Sequence, residues 1–295
     1  GMSYLLNETP GRELVVRGGI GVFYDLGQSG FGDVGFPYRR NLQSFFLPIP
    51  LPASAFNFGT PNLTLSPSNR ASVTAAAGDY TLPRTYQWNL MAQQSIGKNS
   101  ALSLAYVAAL GRKLIRASRI NIAFPGQAPN VYFSPNFSGV TYIFNGADSS
   151  YHSLQTQFTQ RLSKRMQVIA NYTWSHSIDT ASGDDNLTTP GFVFASNINK
   201  GDSDFDLRHN FSGAVTYDIP TPDLGKFGNA LLRNWSMNGI VTIHSGLPYN
   251  PSIVDVTFAG ELTAYRRPNL ITGQPLYIND PSVATGRRLN PAAFD

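Results

Sequence analysis

The tightest constraint on this chain is a two-residue periodicity that recurs along its length. In MQVIANYTWSHSI, residues 166–178, alternate positions carry large apolar side chains, among them Tyr172 and Trp174. The positions between them are mostly polar, as at Asn171 and Thr173. Because side chains of a β-strand alternate between two faces, the segment predicts a strand with one apolar and one polar face. Alternation alone does not decide whether the apolar face meets a protein core or lipid.

The length of the alternating segments favours lipid. The same pattern recurs in residues 13–26, 85–96, 101–115, 152–162, 208–219 and 234–245. Strands of globular proteins have about 5–6 residues, whereas a tilted strand that crosses a bilayer needs about 9–11. The alternating segments have the length expected of strands that cross a bilayer.

The connections between the segments alternate in length. Residues 97–100 and 163–165 are tight turns and residues 220–233 form a medium connection, whereas 27–84, 116–151 and 179–207 are long loops. Short turns at one end and long loops at the other are typical of outer-membrane barrels, whose long loops lie outside the cell.

Composition supports a membrane barrel and excludes several other classes. Charged residues make up 14% of the chain, against about 25% in typical soluble proteins. No apolar run approaches the roughly 18 residues of a spanning helix, so an inserted chain would have to form a closed barrel. The chain has no cysteine, which excludes disulfides and thiolate sites. Its net charge of +4 comes from scattered residues, which argues against nucleic acid as a partner.

The alternation assigns residues to a lumen wall and to rims of aromatic side chains. We expect uncharged polar residues to face the lumen: Gln87, Asn89, Gln93, Gln155, Gln157, Asn171, Thr173, Asn210 and Asn238. Aromatic residues near the strand ends are expected to form two girdles at headgroup level: Tyr24, Tyr86, Trp88, Tyr172, Trp174, Tyr217 and Trp235. Ile169 fits the lumen wall badly, and we expect it to pack against a plug or a neighbouring lumen side chain.

Several blocks in order resemble the C-terminal barrel of Oar-like TonB-dependent outer-membrane receptors. They are VVRGGIGVFYD, TYQWNLMAQQSIGKNSALSLAYVAALGRKL, SSYHSLQTQFTQRLSKRMQVIANYTWSHSIDTASG, SDFDLRHNFSGAVTYDIP and NWSMNGIVTIHSGLPYNP. The resemblance covers roughly residues 13–294. It implies an antiparallel up-and-down transmembrane β-barrel of about 22 strands filled by a plug. Family members often carry a carboxypeptidase-regulatory-like domain at the N-terminus.

The fold class expected is therefore all-β, with the chain forming about seven to ten strands of the larger barrel. Residues 1–12 are interpreted as a tag remnant and lead-in, 13–267 as barrel strands with the long loops, and 268–295 as a loop-rich truncated end. The missing plug region and the ending RRLNPAAFD indicate an internal piece of the barrel.

The resemblance implies a receptor in the bacterial outer membrane that takes up or binds an unidentified saccharide, peptide or chelate. Its partners would be outer-membrane lipid, the plug domain, TonB and the extracellular ligand. An alternative is a self-contained binding module, either a small eight-stranded barrel or a β-sandwich.

Catalytic and metal motifs are weak. The chain has no nucleophile elbow, P-loop or zinc-protease helix, so we expect no catalytic residue and no cofactor. A carboxylate-based hydrolase is a further alternative, although no carboxylate pair stands out. Asp202, Asp204 and Asp206 are weak calcium candidates, but their spacing lacks the Gly and Glu of an EF-hand loop. No two of the histidines have metal-ligand spacing.

Overall fold

The structure is a computed structural model, and nearly all of its regular structure is strand. It describes residues 1–25, 64–67, 70–119, 135–163, 165–182, 199–220, 235–251, 253–255, 264–266 and 268–295. In these ranges no helix is long and apolar enough to span a membrane.

A ten-stranded sheet dominates the described part of the chain. Its strands are β1 (Met2–Asn7), β2 (Leu14–Tyr24), β3 (Ala71–Ala76), β4 (Arg84–Ile96), β5 (Ser100–Arg119), β6 (Phe137–Ser163), β7 (Met166–Asp179), β8 (Gly201–Asp202), β9 (His209–Asp218) and β10 (Ser236–His244). The main path runs β1-β2-β4-β5-β6-β7-β9-β10, and every neighbouring pair on it is antiparallel. Strand β3 pairs with β6 in parallel, and β8 pairs with β7. The predicted antiparallel up-and-down arrangement is therefore confirmed.

Two small hairpins follow the sheet. The first pairs β11 (Ile253–Asp255) with β12 (Ala264–Arg266), and the second pairs β13 (Tyr277–Asn279) with β14 (Arg287–Leu289). A short 3-10 helix, Pro291–Ala293, ends the described chain, and the Asn290 side chain accepts a hydrogen bond from Ala292 N at its start.

The main path has a turn end and a loop end. Tight turns join β4 to β5 and β6 to β7 at the turn end. Gly97 has φ 63° in the first of these turns, a backbone conformation that favours glycine. The longer connections after β2, β5 and β7 leave from the opposite, loop end.

The register divides the sheet into two faces of different chemistry. Leu90 pairs with Tyr106, Tyr106 with Leu154, and Leu154 with Trp174. Directly opposed residues of antiparallel strands share a face, so these four define one side of the sheet, the apolar face. The residues between them in each strand define the polar face.

Burial is reversed relative to a water-soluble protein. On the apolar face Leu90 is 59% exposed and Trp174 is 53% exposed, whereas Ser153 and Ser175 on the polar face are buried. Soluble proteins rarely expose a continuous apolar surface of this extent. A β-sandwich would cover that face with a second sheet, whereas the pattern of exposure in the described residues is that of an outer-membrane barrel, whose apolar face meets lipid.

Strands extend into ranges that the sequence assigned to loops or termini. The lead-in 1–12 contains β1, the loop 27–84 contains β3, 179–207 contains β8, and the end 268–295 contains β13 and β14. These strands are short or irregular, with as few as two residues, so they give little periodic signal. The part of 27–84 before residue 64 lies outside the described residues.

The largest correction concerns the predicted loop 116–151. Strand β5 continues to Arg119 and β6 already begins at Phe137. The pairing of β5 with β6 shifts register between Gly111 and Leu114, where Lys113 has φ 56°. Such a bulge interrupts the alternation of faces, and a second register shift follows between Leu114 and Ile115. The two-residue pattern therefore could not be followed beyond residue 115.

Candidate functional site

The polar face carries the residues expected to line a lumen. Successive registers place all of them on this one side of the sheet: Gln87, Asn89, Gln93, Gln155, Gln157, Asn171, Thr173, Asn210 and Asn238. Whether this face lines a lumen stays a prediction, but its members are brought together as one surface.

A ladder of side-chain hydrogen bonds crosses the middle of the polar face. Gln157 Nε2 donates to Asn171 Oδ1 at 2.9 Å, and Asn171 Nδ2 donates to Ser212 Oγ at 3.3 Å. The same row continues through Ser103 and Gln93 on one side, because Ser103 pairs with both Gln157 and Gln93. The row therefore presents uncharged donors and acceptors across successive strands.

Further contacts fix the amides beside this ladder. Gln155 Nε2 donates to Ser153 Oγ at 3.2 Å, and Ser153 Oγ donates to Val107 O at 3.4 Å. Arg17 Nη1 donates to Gln93 Oε1 at 3.2 Å. An amide has two donors and an acceptor oxygen, so each side chain keeps hydrogen-bonding capacity for a ligand after these contacts.

An apolar patch interrupts the polar face toward the turn end. Ile169 pairs with Ala214, and Ala214 pairs with Ile240, which is 79% exposed. Ile169 is thus part of a patch rather than an isolated exception. Its expected contact with a plug stays a prediction.

The residues expected to form aromatic girdles share the apolar face. Tyr24 pairs with Arg84 across β2 and β4. Tyr86 and Trp88 follow Arg84 on the same side of β4. Tyr172 and Trp174 lie toward the loop end of β7, whereas Tyr217 pairs with Met166 at the turn end. Trp235 immediately precedes β10 and accepts a backbone hydrogen bond from Ile219. The membrane level of these rings stays a prediction.

Sequence reasoning missed two tyrosine–histidine contacts on the apolar face. Tyr106 Oη lies 2.7 Å from His152 Nδ1, and Tyr172 Oη lies 2.8 Å from His209 Nδ1. Both ring pairs are stacked with centroids 6.2 Å apart. Parity could have signalled that these residues share a face, but only the register shows which tyrosine meets which histidine.

A cluster of charged side chains lies at the loop end, beside β7. Asp206 is 4% exposed, and its Oδ1 accepts the backbone N–H of Ser177 at 2.7 Å. Its Oδ2 lies 3.2 Å from His176 Nδ1 and 3.6 Å from Arg208 Nη2. The carboxylate takes the place of a strand carbonyl and ties residues 203–208 to β7.

The cluster includes two of the three aspartates that were calcium candidates. Asp202 approaches His176 Nε2 at 3.6 Å and Arg208 Nη2 at 3.9 Å, so it joins Asp206 in one group. Asp204 is not a member of the group of potential metal ligands, which consists of His176, Asp202 and Asp206. Arg208 supplies the positive charge between the two carboxylates. Calcium binding stays a prediction that this geometry does not favour.

Buried hydroxyl groups continue the cluster along β7. Ser177 Oγ and Ser203 Oγ are 2.8 Å apart, and Ser175 Oγ donates to Leu207 O at 2.7 Å. Asp179 accepts both of its short contacts, 2.9 and 2.8 Å, from Ser182 Oγ. Every polar group named here has a partner, as buried polar groups require, so the cluster has the properties of a structural clasp.

A depression of about 540 Å³ lies at the turn end. Glu13, Lys98 and Arg161 are among the residues that line it. Hydrogen bonds from the backbone N–H groups of Glu13 itself and Gly11, followed by the Ser95 hydroxyl, hold the pKa of Glu13 below its ordinary value. These contacts stabilise the turn before β2.

Comparison with known proteins agrees with this architecture. The family model described as an outer membrane beta barrel domain matches residues 1–295. No curated protein matches the chain.

Proposed function

Because this chain belongs to the family of outer membrane beta barrel domains, we propose that it forms part of the barrel of an Oar-like TonB-dependent receptor. Membership places the protein in the bacterial outer membrane. In the proposed receptor, a plug fills the barrel and TonB supplies the energy for uptake of an extracellular ligand. The role is binding and transport rather than catalysis.

The hydrogen-bond ladder on the polar face is the observation that supports this proposal most. An uncharged row such as Gln93, Gln157 and Asn171 gives the polar face neutral hydrogen-bonding groups on neighbouring strands. Neutral amides and hydroxyls bind saccharides and peptides through many modest hydrogen bonds. We therefore propose a neutral or weakly charged ligand that is rich in such groups.

The apolar patch beside the ladder supports a plug as an internal partner. Ile169 and Ile240 lie on the polar face but offer a ligand no hydrogen bond, and Ile240 is largely exposed. Contact with a folded domain inside the barrel would remove this surface from water, with a gain of roughly 25 cal/mol per Å².

Coupling to TonB can be tested in the native bacterium. The epitope-tagged full-length protein, expressed at its native level, would be cross-linked in cells and probed for TonB. We expect a cross-linked species that disappears when TonB is deleted. A tagged outer-membrane barrel of a different family is the control, and an equal yield from both proteins would contradict the proposal.

Ligand class can be tested by uptake. Labelled neutral oligosaccharides and peptides would be offered to cells with the wild-type protein and to cells with Asn171→Leu. This change removes both described contacts of the Asn171 amide while keeping a side chain of similar size. We expect uptake of at least one neutral ligand to fall about tenfold, and unchanged uptake of every ligand would contradict a role for the ladder.

A further inference from the structure

The arginine and histidine side chains on the apolar face are confined to its loop end. We consider the strands of the main path between the turn end and the bulge in β5. The Arg and His residues on the apolar face of this region are Arg84, Arg112, His152, His176 and His209. The same strand positions carry no Asp or Glu. The remainder of the face is apolar or uncharged, so basic groups begin where the apolar surface ends.

Arg84 and Arg112 are two positive charges that lie next to each other in this region. They are direct cross-strand partners, one on β4 and one on β5. Like charges directly opposite each other destabilise a sheet. Among the described residues, neither arginine forms an ion pair with a carboxylate, so the structure shows no protein anion that would offset their repulsion.

Both guanidinium groups keep N–H donors that no described protein acceptor takes up. Arg84 lies over the Tyr86 ring, with 5.8 Å from Cζ to the ring centroid, and its buried Nε has no hydrogen-bond partner. Arg112 uses Nη1 for the carbonyl groups of Gly111 and Ser149, both at 2.8 Å, which leaves its other nitrogens without a described partner. A buried donor without a partner calls for an explanation such as an ion or ligand group.

The side chain of Asn145 ties together the chain segments next to the two arginines. Its Nδ2 donates to Thr81 O at 2.8 Å and to Lys113 O at 2.7 Å, and its Oδ1 accepts from Thr81 N at 2.8 Å. The segment before β4 and the bulge of β5 are thereby tied to β6. Lys113 adopts φ 56° at this point and exposes a further positive charge beside Arg112. The backbone that carries the pair is thus held by the β4–β5 ladder and by Asn145.

We propose that Arg84 and Arg112 form a binding site for a phosphate group of an outer-leaflet glycolipid. Arginine binds phosphate through paired N–H donors, and lipid phosphates lie at the level where apolar side chains give way to aromatic and basic ones. Tyr86 and Trp88, next on the same face of β4, would contact the upper part of the acyl chains. The inference rests on the lipid-facing role proposed for the apolar face.

The test compares lipids that differ only in phosphate. Full-length protein in dodecyl maltoside would be titrated with bis-phosphorylated lipid A and with the same lipid after removal of its phosphates. We expect the phosphorylated lipid to bind at least tenfold more tightly, and the double variant Arg84→Gln/Arg112→Gln to lose about tenfold or more of that affinity. The difference should shrink at high salt.

Matched controls make the outcome decisive. Arg161→Gln removes an exposed arginine on the polar face near the turn end and should leave binding unchanged. Heat-modifiable gel mobility reports whether each variant is folded. If the double variant does not fold, Arg84→Lys and Arg112→Lys replace it, and each should reduce affinity because the paired donors are lost.

Three results would overturn the phosphate site. They are equal binding of both lipids, equal loss of affinity in Arg161→Gln, and displacement of the lipid by inorganic phosphate at matched concentration, which would indicate a site for free phosphate. Quenching of tryptophan fluorescence by brominated lipid chains tests the lipid-facing assignment separately. Strong quenching without a phosphate effect would reject the arginine site and leave the proposed orientation standing.

Discussion

At the scale of single residues, the loop-end cluster shows how one buried carboxylate organises a segment. Asp206 accepts from Ser177 N and is held by His176 and Arg208. Asp204, two residues earlier, is exposed, and its described hydrogen bond is made by its backbone N–H to Ser182 Oγ. The two aspartates look equivalent in the sequence but have different structural roles.

Replacing Asp206 should destabilise the loop end. Asp206→Ala leaves the Ser177 N–H and the Arg208 charge without this acceptor, at an expected cost of about 2 kcal/mol, discounted for the partial exposure of Arg208. Urea unfolding of the protein in lipid vesicles would measure the change. Asp204→Ala is the matched control and should cost less than about 0.5 kcal/mol.

Two results would contradict this interpretation. One is equal destabilisation by the two substitutions. The other is a calcium-dependent increase in stability that Asp206→Ala abolishes, because that would make the cluster a metal site rather than an ion-paired clasp.

Acid should weaken the hairpin of β13 and β14 through Asp280. Hydrogen bonds from Ser282, first from its hydroxyl and then from its backbone N–H, lower the pKa of Asp280 below the ordinary 3.8, and Arg288 adds to this. A lowered pKa in the folded state contributes stability above the unfolded pKa. That contribution is lost as the pH falls from about 4 through the lower folded value.

An NMR titration of residues 277–289 in the detergent-solubilised protein would show this change. Ser282→Ala should move the titration of Asp280 back toward the ordinary value, and Asp280→Asn should remove it. An Asp280 titration at or above its ordinary pKa in the unaltered protein would contradict the expectation.

At the scale of elements, the turns fix the register of neighbouring strands and so decide which side chains share a face. The β4–β5 turn contacts the β1–β2 turn, because Gly97 N donates to Gly11 O at 2.8 Å. Both glycines have positive φ, and a Cβ on Gly11 would lie 3.2 Å from the backbone of Gly97. The turn end is therefore a packed unit in which side chains at either glycine are disfavoured.

Substitution at Gly97 should measure the strain in this turn. No atom lies within 4 Å of a Cβ built on Gly97, so Gly97→Ala tests backbone conformation alone, with an expected cost of about 1–2 kcal/mol. Gly97→Asn should cost less, because Asn tolerates this conformation better. The measurement is the urea midpoint of refolding in vesicles.

Gly246→Ala is the control for that experiment. Gly246 also has open space around its Cβ position but no positive φ. A similar cost at both positions would show that the loss of stability does not come from the turn conformation.

At the scale of the whole molecule, the reversed burial pattern is the property that requires a membrane. The chain contains 3 tryptophans, and all of them lie on the apolar face, as Trp88, Trp174 and Trp235. Trp174 and Trp235 are 53% and 60% exposed. In water such a surface would drive association, whereas in a bilayer it is solvated by lipid.

Tryptophan fluorescence should therefore respond to bromine in lipid chains. In vesicles of brominated phosphatidylcholine we expect quenching of more than about half of the intensity, with bromines near the headgroup more effective than bromines near the chain ends. Variants with Phe at two of the three positions would assign the depth of the remaining tryptophan. Weak quenching at every bromine depth would place the apolar face away from lipid.

Much of the strand arrangement could be predicted because alternation is a local property. Every residue assigned to the polar wall from parity lies on one face in the structure, from Gln87 on β4 to Asn238 on β10. Prediction failed at the β5 bulge and at β1, β3 and β8, where strands are short, irregular or paired with distant segments. Neither a bulge nor a parallel partner leaves a periodic signal in a single strand.

By itself, the sequence determined the class of structure, because long two-faced strands with few charges are typical of an outer-membrane β-barrel. It determined which side chains share a face, because the period of a strand is fixed by the backbone. Only the tertiary structure decided which residues meet across strands, including the Gln157–Asn171–Ser212 ladder, the Asp206 clasp and the Arg84–Arg112 pair. The physical reason is that register depends on turns and bulges, and a shift of one residue exchanges every partner.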